Sequence, residues 1–156
     1  MRGLVVLGST GSIGRQTLDV VRAFPGEFKV VGLAAGLNLD LLASQIEEFN
    51  PRTACCALED QRTLLPDGVE FVPMEDMVCQ PDVELVMAAT IGSAGLVPTV
   101  RALENGVDVA LANKEVIIMA GDMIMSLASA HGAAVLPVDS EPSAIWQCIQ
   151  GESEAP

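Results

Sequence analysis

The sequence predicts an α/β protein built on a doubly wound, mostly parallel sheet with helices on both faces. Apolar runs of strand length alternate with stretches of helical spacing. The first run, Gly3–Leu7, is continuously apolar, as expected of a strand that is covered on both faces. A glycine-rich segment follows it directly, which is typical of a Rossmann-like fold. Ligands of such sheets bind beyond the carboxyl ends of the strands, so functional residues are expected there.

The predicted elements alternate along the chain. Strands are predicted at Gly3–Leu7, Phe28–Ala35, Thr53–Ala57, Glu84–Ala89, Val107–Ala112 and Ala133–Pro137, and helices from Ser12 to before Pro25 and at Leu39–Phe49, Ala94–Asn105, Lys114–His131 and Glu141–Ile149. The signals are weak between Leu58 and Gln80, where Glu70–Val72 is predicted as a short strand and Met74–Cys79 as one or two helical turns.

Local signals set the helix boundaries. Asn38 is a typical N-cap, and Gly106 and Gly132 are typical residues after a helix C-terminus. The first 150 residues are therefore expected to form one domain, and residues 151–156 a polar tail or a truncated linker.

Charge and composition exclude several classes of protein. The chain has 156 residues, half of them apolar, so it is not intrinsically disordered. Eight basic residues against 21 acidic ones give a net charge of −13, which argues against binding to nucleic acids or anionic membranes. An anionic small molecule can still bind where the local field opposes the global one. No membrane span or secretory signal is readable, so a cytoplasmic location is expected.

The four cysteines show no pattern of a metal site or a disulfide framework. Cys55 and Cys56 are adjacent, Cys79 and Cys148 are scattered, and no CxxC is present. They are expected to be reduced and mostly buried.

The glycine-rich segment has the spacing GxxGxxG, at Gly8, Gly11 and Gly14. Glycines permit a tight strand-to-helix turn and close approach of a diphosphate to backbone N–H groups. The following helix N-terminus favours an anion, and the hydroxyls of Thr10 and Ser12 could add donors. The pattern favours dinucleotide or nucleotide binding over a glycine-rich turn without a ligand.

The second strand ends in Ala35-Gly36-Leu37-Asn38, where the ribose of a bound dinucleotide would lie. An acidic residue that would favour NAD is absent, which permits NADP. No Arg or Lys stands in this segment to pair with a 2′-phosphate. Gly36 and Asn38 could equally form an ordinary turn and helix cap.

Two later strand ends are unusually polar. Asn113, Lys114 and Glu115 follow one strand, and Lys114 could either serve a ligand or neutralise a nearby carboxylate. Asp139 and Glu141 follow the last strand, and oxygen ligands of this kind suit Mg²⁺ or Mn²⁺. Alternatively, Asp139 or Ser140 caps the next helix, with Glu141 in its first turn.

Other conspicuous side chains are interpreted as structural. His131 is predicted at a helix C-terminus, where the helix dipole favours a partly cationic imidazole. Met119, Met123 and Met125 are predicted to fill the core, and Trp146 to pack on a helix face.

Five segments together resemble the amino-terminal part of the 1-deoxy-D-xylulose 5-phosphate reductoisomerase family. They are GSTGSIG at 8–14, AGxN at 35–38, VMAATIGSAGL at 86–96, LANKE at 111–115 and PVDSE-x-SAI-x-Q at 137–147. The resemblance extends over nearly the whole chain, although members of the family are about two and a half times as long.

The resemblance implies an NADPH- and divalent-metal-dependent oxidoreductase. Such an enzyme converts 1-deoxy-D-xylulose 5-phosphate, a phosphosugar, to 2-C-methyl-D-erythritol 4-phosphate in non-mevalonate isoprenoid biosynthesis, as a homodimer at full length. The implied NADPH contacts are Gly8, Thr10, Gly11, Ser12, Ile13, Gly36, Asn38, Asn113 and Glu115. Lys114, Ser140 and Glu141 would contact the substrate, with Lys114 and Glu141 catalytic, and Asp139 and Glu141 would bind Mg²⁺ or Mn²⁺.

The chain departs from the family pattern in three ways. Leu37 stands where some members carry a cation, and Pro142 replaces the His that usually follows DSE. The family's third acidic metal ligand, substrate-phosphate residues and active-site loop lie beyond the equivalent of Pro156. We therefore expect the 156-residue chain alone to be inactive.

Two alternatives come from other classes of protein. One is a different Rossmann NAD(P)-dependent reductase, such as a homoserine- or dihydrodipicolinate-type enzyme. The other is a non-catalytic nucleotide-binding module, which would keep the glycine turn without needing Lys114, Asp139 and Glu141.

Overall fold

A computed structural model describes residues 1–57 and 65–151 as one parallel sheet flanked by helices. The strands of the described residues are β1 (Arg2–Leu7), β2 (Phe28–Ala35), β3 (Thr53–Cys56), β4 (Glu70–Phe71), β5 (Leu85–Ala88), β6 (Asp108–Leu111) and β7 (Val135–Pro137). The helices are α1 (Ser12–Ala23), α2 (Leu39–Phe49), α3 (Met74–Met77), α4 (Leu96–Glu104), α5 (Lys114–His131) and α6 (Ser140–Ile149), and a 3-10 turn at Gly92–Gly95 precedes α4.

The strand order is β4-β3-β2-β1-β5-β6-β7, and every pair is parallel. Strands β2, β3 and β4 follow one another on one side of β1, and the chain then crosses to the other side, where β5, β6 and β7 follow one another. The order therefore reverses between β1 and β5, and a crevice is expected at this switch point. The predicted doubly wound α/β class is confirmed, and the sheet is wholly rather than mostly parallel in the described residues.

Alternate residues of β1 feed two separate cores, one on each face of the sheet. Val5 and Leu7 belong to a core that is completed by residues of α4 and α5, such as Leu103 and Ile124. The neighbouring β1 residues point to the opposite face, where the core includes Leu18 of α1 and Leu42 of α2. The continuous apolar run of β1 thus reflects a strand that is buried on both faces.

The predicted helix boundaries agree with the caps in the structure. The Asn38 side chain accepts from the Leu41 N–H at the start of α2, and Gly132 ends α5 in the left-handed region at φ 69°. His131 is the last, exposed residue of α5, as predicted. The last residues of the predicted tail, 152–156, lie outside the described residues, as do residues 58–64.

The methionines of α5 contradict the prediction that they fill the core. Met119, Met123 and Met125 are about half exposed, and the helix is interrupted at Ala120, whose φ of −149° is not helical. Helix α6 buries none of its residues, and Trp146 is 40% exposed. Spacing predicts that a helix has an apolar face, but it does not reveal what covers that face.

The cysteines are also less buried than predicted. Cys56 is buried, Cys55 and Cys79 are partly exposed, and Cys148 is exposed. Cys79 follows the short helix α3 and Cys148 lies in α6, which buries none of its residues, so neither position carries a burial signal in the sequence. No helix among residues 1–57 and 65–151 has the length and apolar character needed to cross a membrane.

Thiol alkylation checks the environments of Cys79 and Cys148. Burial raises the pKa of the Cys79 thiol above its ordinary value, and its Sγ donates to the Glu75 carbonyl at 3.2 Å. We expect iodoacetamide at neutral pH to modify the exposed Cys148 roughly tenfold faster than Cys79, because only the accessible thiolate reacts. Raising the pH should narrow this ratio, since the thiolate fraction of Cys79 then increases. Peptide mass spectrometry measures both rates, and equal rates at neutral pH would contradict the structure.

Candidate functional site

The turn after β1 brings α1 unusually close to the sheet. Gly8 has a φ of 84°, and a Cβ on it would lie 2.4 Å from the Ala89 carbonyl oxygen. A Cβ on Gly14, in the first turn of α1, would lie 2.2 Å from the Gly8 carbonyl oxygen. Both distances are shorter than any real contact of a Cβ atom, and the atoms that would be struck belong to the backbone, which cannot move aside as a flexible side chain could. The first and third glycines of the motif are therefore required by the fold itself.

The N-terminus of α1 has the features of an anion site. Its N-cap is Gly11, which has no side chain to cap the first N–H groups, and its first turn contains no acidic residue. The first turn includes Ser12, Ile13 and Gly14. The uncapped N–H groups and the helix dipole together favour a negatively charged group at this end.

A cavity of about 410 Å³, here called the turn cavity, opens at the switch point. It is lined by Gly8, Thr10, Gly11, Ala34, Ala35, Gly36, Leu37, Asn38, Cys55, Cys56, Ala57, Met74, Ala89, Thr90, Ile91 and Ala94. These residues follow or end β1, β2, β3 and β5, so four strand ends form its walls. No side chain of this described lining is charged. An anionic ligand would therefore depend on main-chain groups here.

Gly36 and Asn38 occupy the far end of the turn cavity. A Cβ on Gly36 would meet nothing within 4 Å, so the fold leaves this position open. Asn38 caps α2, since its Oδ1 accepts from the Leu41 N–H at 3.2 Å. The capping alternative is thus observed for Asn38, and the same residue also lines the cavity. Leu37 beside them is 73% exposed.

Asn113 joins the loop after β5 to the start of α5. Its side chain is buried, and its Nδ2 donates to the carbonyls of Thr90 and Gly92, each at 2.9 Å. Its Oδ1 accepts from the Val116 N–H at 3.2 Å, which caps α5. One amide therefore fixes a wall of the turn cavity and the direction in which α5 leaves the sheet.

A second cavity of about 400 Å³, here called the lysine cavity, lies at the ends of β6 and β7. It is lined by Leu111, Asn113, Lys114, Ile117, Ile118, Met125, Val135, Pro137, Asp139, Pro142 and Trp146. Lys114 forms none of the ion pairs found among the described residues. No described carboxylate is therefore within ion-pair distance of Lys114, and its ammonium group remains available to a ligand although its charge acts on Glu141.

The start of α6 carries the acidic residues beside this cavity. Asp139 is the N-cap residue, but its carboxylate forms no capping hydrogen bond. The Ser140 hydroxyl donates to Glu141 Oε2 at 2.7 Å. This bond, a backbone N–H and the charge of Lys114 together hold the pKa of Glu141 below its ordinary value. Glu141 is therefore ionised at neutral pH and close enough to Lys114 to sense its charge.

These carboxylates fit part of a metal site. No group of three or more His, Cys, Asp or Glu side chains that could hold a metal occurs in the described part of the chain. Two carboxylates close together in sequence still match the oxygen ligands that Mg²⁺ and Mn²⁺ prefer, and Mg²⁺ is often held by only one or two protein carboxylates.

The structure groups the predicted residues around the two cavities. Gly8, Thr10, Gly11, Gly36 and Asn38 line the turn cavity, and Asn113, Lys114 and Asp139 line the lysine cavity. Ser12, Ile13, Glu115, Ser140 and Glu141 lie outside both linings. Residues 55–57 in the turn cavity and Trp146 in the lysine cavity were not predicted as site residues. The position of residues 55–57 at a third parallel strand end was the signal that could have found them.

Comparison with known proteins identifies the family. The family model of 1-deoxy-D-xylulose 5-phosphate reductoisomerase matches residues 4–121, which is more than half of the chain. The chain belongs to this family. A reductoisomerase from Pelotomaculum thermopropionicum is 45% identical over 98% of this chain, and one from Geotalea uraniireducens is 48% identical over 97%. In both cases the chain spans 42% of the relative's length.

Solved structures of the reductoisomerase family have the same architecture. A DOX-P reductoisomerase in complex with NADPH, fosmidomycin and magnesium matches with a TM-score of 0.89 and 34% identity, covering 97% of this chain and 41% of that one. The Zymomonas mobilis enzyme in complex with NADPH matches with a TM-score of 0.89 and 35% identity, covering 96% of this chain and 42% of that one. A putative homoserine dehydrogenase from Archaeoglobus fulgidus matches with a TM-score of 0.56 and 20% identity, covering 88% of this chain and 42% of that one. A likeness at this identity shows the fold alone. The family resemblance is confirmed, and the alternative of another Rossmann reductase family is not.

Asn113 is expected to contribute more to stability than the matched cap Asn38. Replacing Asn113 by Ala leaves the Val116 N–H and two carbonyls without their partner, which should lower the free energy of unfolding by about 3 kcal/mol. Asn38→Ala removes one exposed cap bond and should cost about 1 kcal/mol. Urea denaturation of both variants measures the difference. Equal losses would show that the bonds to the Thr90 loop contribute nothing.

Proposed function

We propose that this chain is the NADPH-binding portion of a 1-deoxy-D-xylulose 5-phosphate reductoisomerase. The parent enzyme isomerises and reduces 1-deoxy-D-xylulose 5-phosphate to 2-C-methyl-D-erythritol 4-phosphate. The observation that carries the proposal is the turn cavity, which lies at the switch point of the sheet and adjoins the uncapped start of α1. NADPH rather than NADH is supported by the two related structures that contain it.

In this proposal, main-chain groups hold the dinucleotide. The turn at Gly8, Thr10 and Gly11 and the first turn of α1, at Ser12 and Ile13, receive the diphosphate, because the described lining offers no charged side chain. On the adenosine side, Gly36 leaves room and Asn38 provides an amide. Leu37 provides no charge for the 2′-phosphate.

Asn113 and Glu115 are proposed to contact NADPH beside the β5 loop. Asn113 links the walls of the two cavities, so it would place the nicotinamide end next to the lysine cavity. Glu115 is in the first turn of α5, one residue beyond Lys114.

The lysine cavity is proposed to take the phosphosugar. Lys114 would contact the substrate as a cation, and Ser140 and Glu141 would contact it from the start of α6, with Lys114 and Glu141 as catalytic residues. Asp139 and Glu141 would hold Mg²⁺ or Mn²⁺. Such an ion, when bound, polarises a substrate carbonyl. Because Glu141 is ionised at neutral pH, it can serve as a ligand without first losing a proton.

The chain alone is proposed to bind NADPH without turning over substrate, because the described residues provide only two of the three acidic metal ligands that the family resemblance implies. A non-catalytic module remains the second candidate. Replacing Lys114, Asp139 and Glu141 by Ala in a full-length enzyme separates the two. Loss of activity supports the reductoisomerase, whereas unchanged activity supports the module.

The parent enzyme is further proposed to be a cytoplasmic homodimer. Large apolar side chains exposed on α5 and α6 support extensive contact with further polypeptide. They are Ile117, Ile118, Met119, Met123, Met125, Ile145, Trp146 and Ile149. Contiguous apolar surface of this extent marks an interaction site.

A cofactor titration of Gly36→Val tests the proposed adenosine site. The wild-type chain should bind NADPH, followed by nicotinamide fluorescence. The variant should bind more than roughly tenfold more weakly, since a branched side chain fills the space left for the ligand. Its free energy of unfolding should change by less than about 0.5 kcal/mol, because a Cβ there meets nothing.

Ala130→Val is the control, since it adds a branched side chain at an exposed position of α5, near the opposite edge of the sheet. It should leave the NADPH affinity unchanged. If the wild-type chain shows no binding at millimolar NADPH, the proposed function is wrong. If Gly36→Val binds normally, the adenosine lies elsewhere.

A further inference from the structure

Gln45 is a buried polar residue of α2 that reaches the glycine turn. Its side chain is 3% exposed, and its Nε2 donates to the main-chain carbonyl of Ser9 at 3.0 Å. Ser9 is completely buried. A carbonyl can only accept, so the donor end of the Gln45 amide must face it. This bond crosses 36 residues of sequence and ties α2 to the turn between β1 and α1.

The Ser9 carbonyl depends on Gln45. No backbone N–H of the described residues donates to it from outside the regular elements. Three other N–H groups of the turn are already engaged, because those of Gly8 and Ser9 both donate to the Ala34 carbonyl at 2.8 Å and that of Gly11 donates to the Gly8 carbonyl at 3.0 Å. Gly14 closes the remaining side, since a Cβ on it would lie 2.6 Å from the Ser9 Cα. Strand β2, helix α1 and Gln45 therefore hold this segment from three directions.

The orientation of one peptide group follows from this bond. No cis peptide bond occurs in residues 1–57 or 65–151, and in a trans peptide the C=O and the following N–H point in opposite directions. The Ser9 carbonyl points at Gln45, so the Thr10 N–H points away from α2. Thr10 lines the turn cavity, so this donor faces the side where the diphosphate is proposed to bind.

We propose that Gln45 is a positioning residue that sets the Ser9–Thr10 peptide so that the Thr10 N–H donates to the diphosphate of NADPH. This inference rests on the proposed function and assigns Gln45 no contact with the cofactor. Helix α2 then serves both ends of the dinucleotide, because Asn38 at its N-cap lines the cavity and Gln45, two turns later, sets the turn.

The test replaces Gln45 by Met, which has a similar size but no donor. The Gln45 Oε1 and the Ser9 Oγ are both buried without a hydrogen-bond partner among the described residues. The change removes one unsatisfied acceptor but leaves the buried Ser9 carbonyl without its donor, so the melting temperature should fall by several degrees while the chain still folds. Leu42→Met is the matched control, since Leu42 is fully buried on the same helix and lacks this contact.

Two ligands separate positioning from general damage. Affinity for NADPH should fall roughly tenfold in Gln45→Met, the scale of one lost hydrogen bond to a charged group. Affinity for adenosine 2′-monophosphate, which lacks the diphosphate, should stay unchanged. In ¹H–¹⁵N spectra, the Thr10 amide should shift on addition of NADPH in the wild-type and Leu42→Met chains and much less in Gln45→Met.

Unchanged NADPH affinity in Gln45→Met overturns the inference, and so does an equal loss for both ligands, which would mean that α2 as a whole has moved. If Gln45→Met does not fold, Gln45→Asn serves instead, because it shortens the amide by one methylene and breaks the same bond. Failure of the wild-type chain to bind NADPH is a different result, since it rejects the proposed function and not only the role of Gln45.

Discussion

The close approach of α1 to β1 is the constraint on which the rest of the site depends. Gly8 and Gly14 stand where any side chain would collide with backbone, so the turn can form only with glycine at both positions. Because α1 sits this close, its uncapped N-terminus adjoins the crevice where the strand order reverses. The middle glycine of the motif, Gly11, leaves that N-terminus without a capping side chain. Fold and ligand site are thus set by the same few residues.

The proposed site would allow an acidic protein to bind an anion. The net charge of −13 opposes a dinucleotide at long range, and the described lining of the turn cavity contributes no positive side chain to offset it. Attraction must come from oriented N–H groups at short distance, where the helix dipole acts directly. The lysine cavity works differently, because it is lined by the cation Lys114, whose charge acts on the ionised Glu141.

Much of this could be predicted from the sequence, because the signals are local. The strand β1, the glycine turn and the Asn38 cap each depend on neighbouring residues, and the structure confirms them. The contributions of Asn113 and Gln45 could not be predicted in detail, since their partners Thr90 and Ser9 are 23 and 36 residues away. The methionines of α5 were misjudged for a related reason. Their spacing indicates an apolar face, but in the described residues that face is left largely exposed.

A crystal structure of this chain with NADPH tests the central claim most directly. The account predicts density for the diphosphate against the turn at Gly8–Gly11, with the main-chain nitrogens of Thr10 and of the first turn of α1 within hydrogen-bonding distance of its oxygens. Density for the cofactor away from the turn cavity, or a turn blocked by its own side chains while the cofactor lies elsewhere, would contradict it.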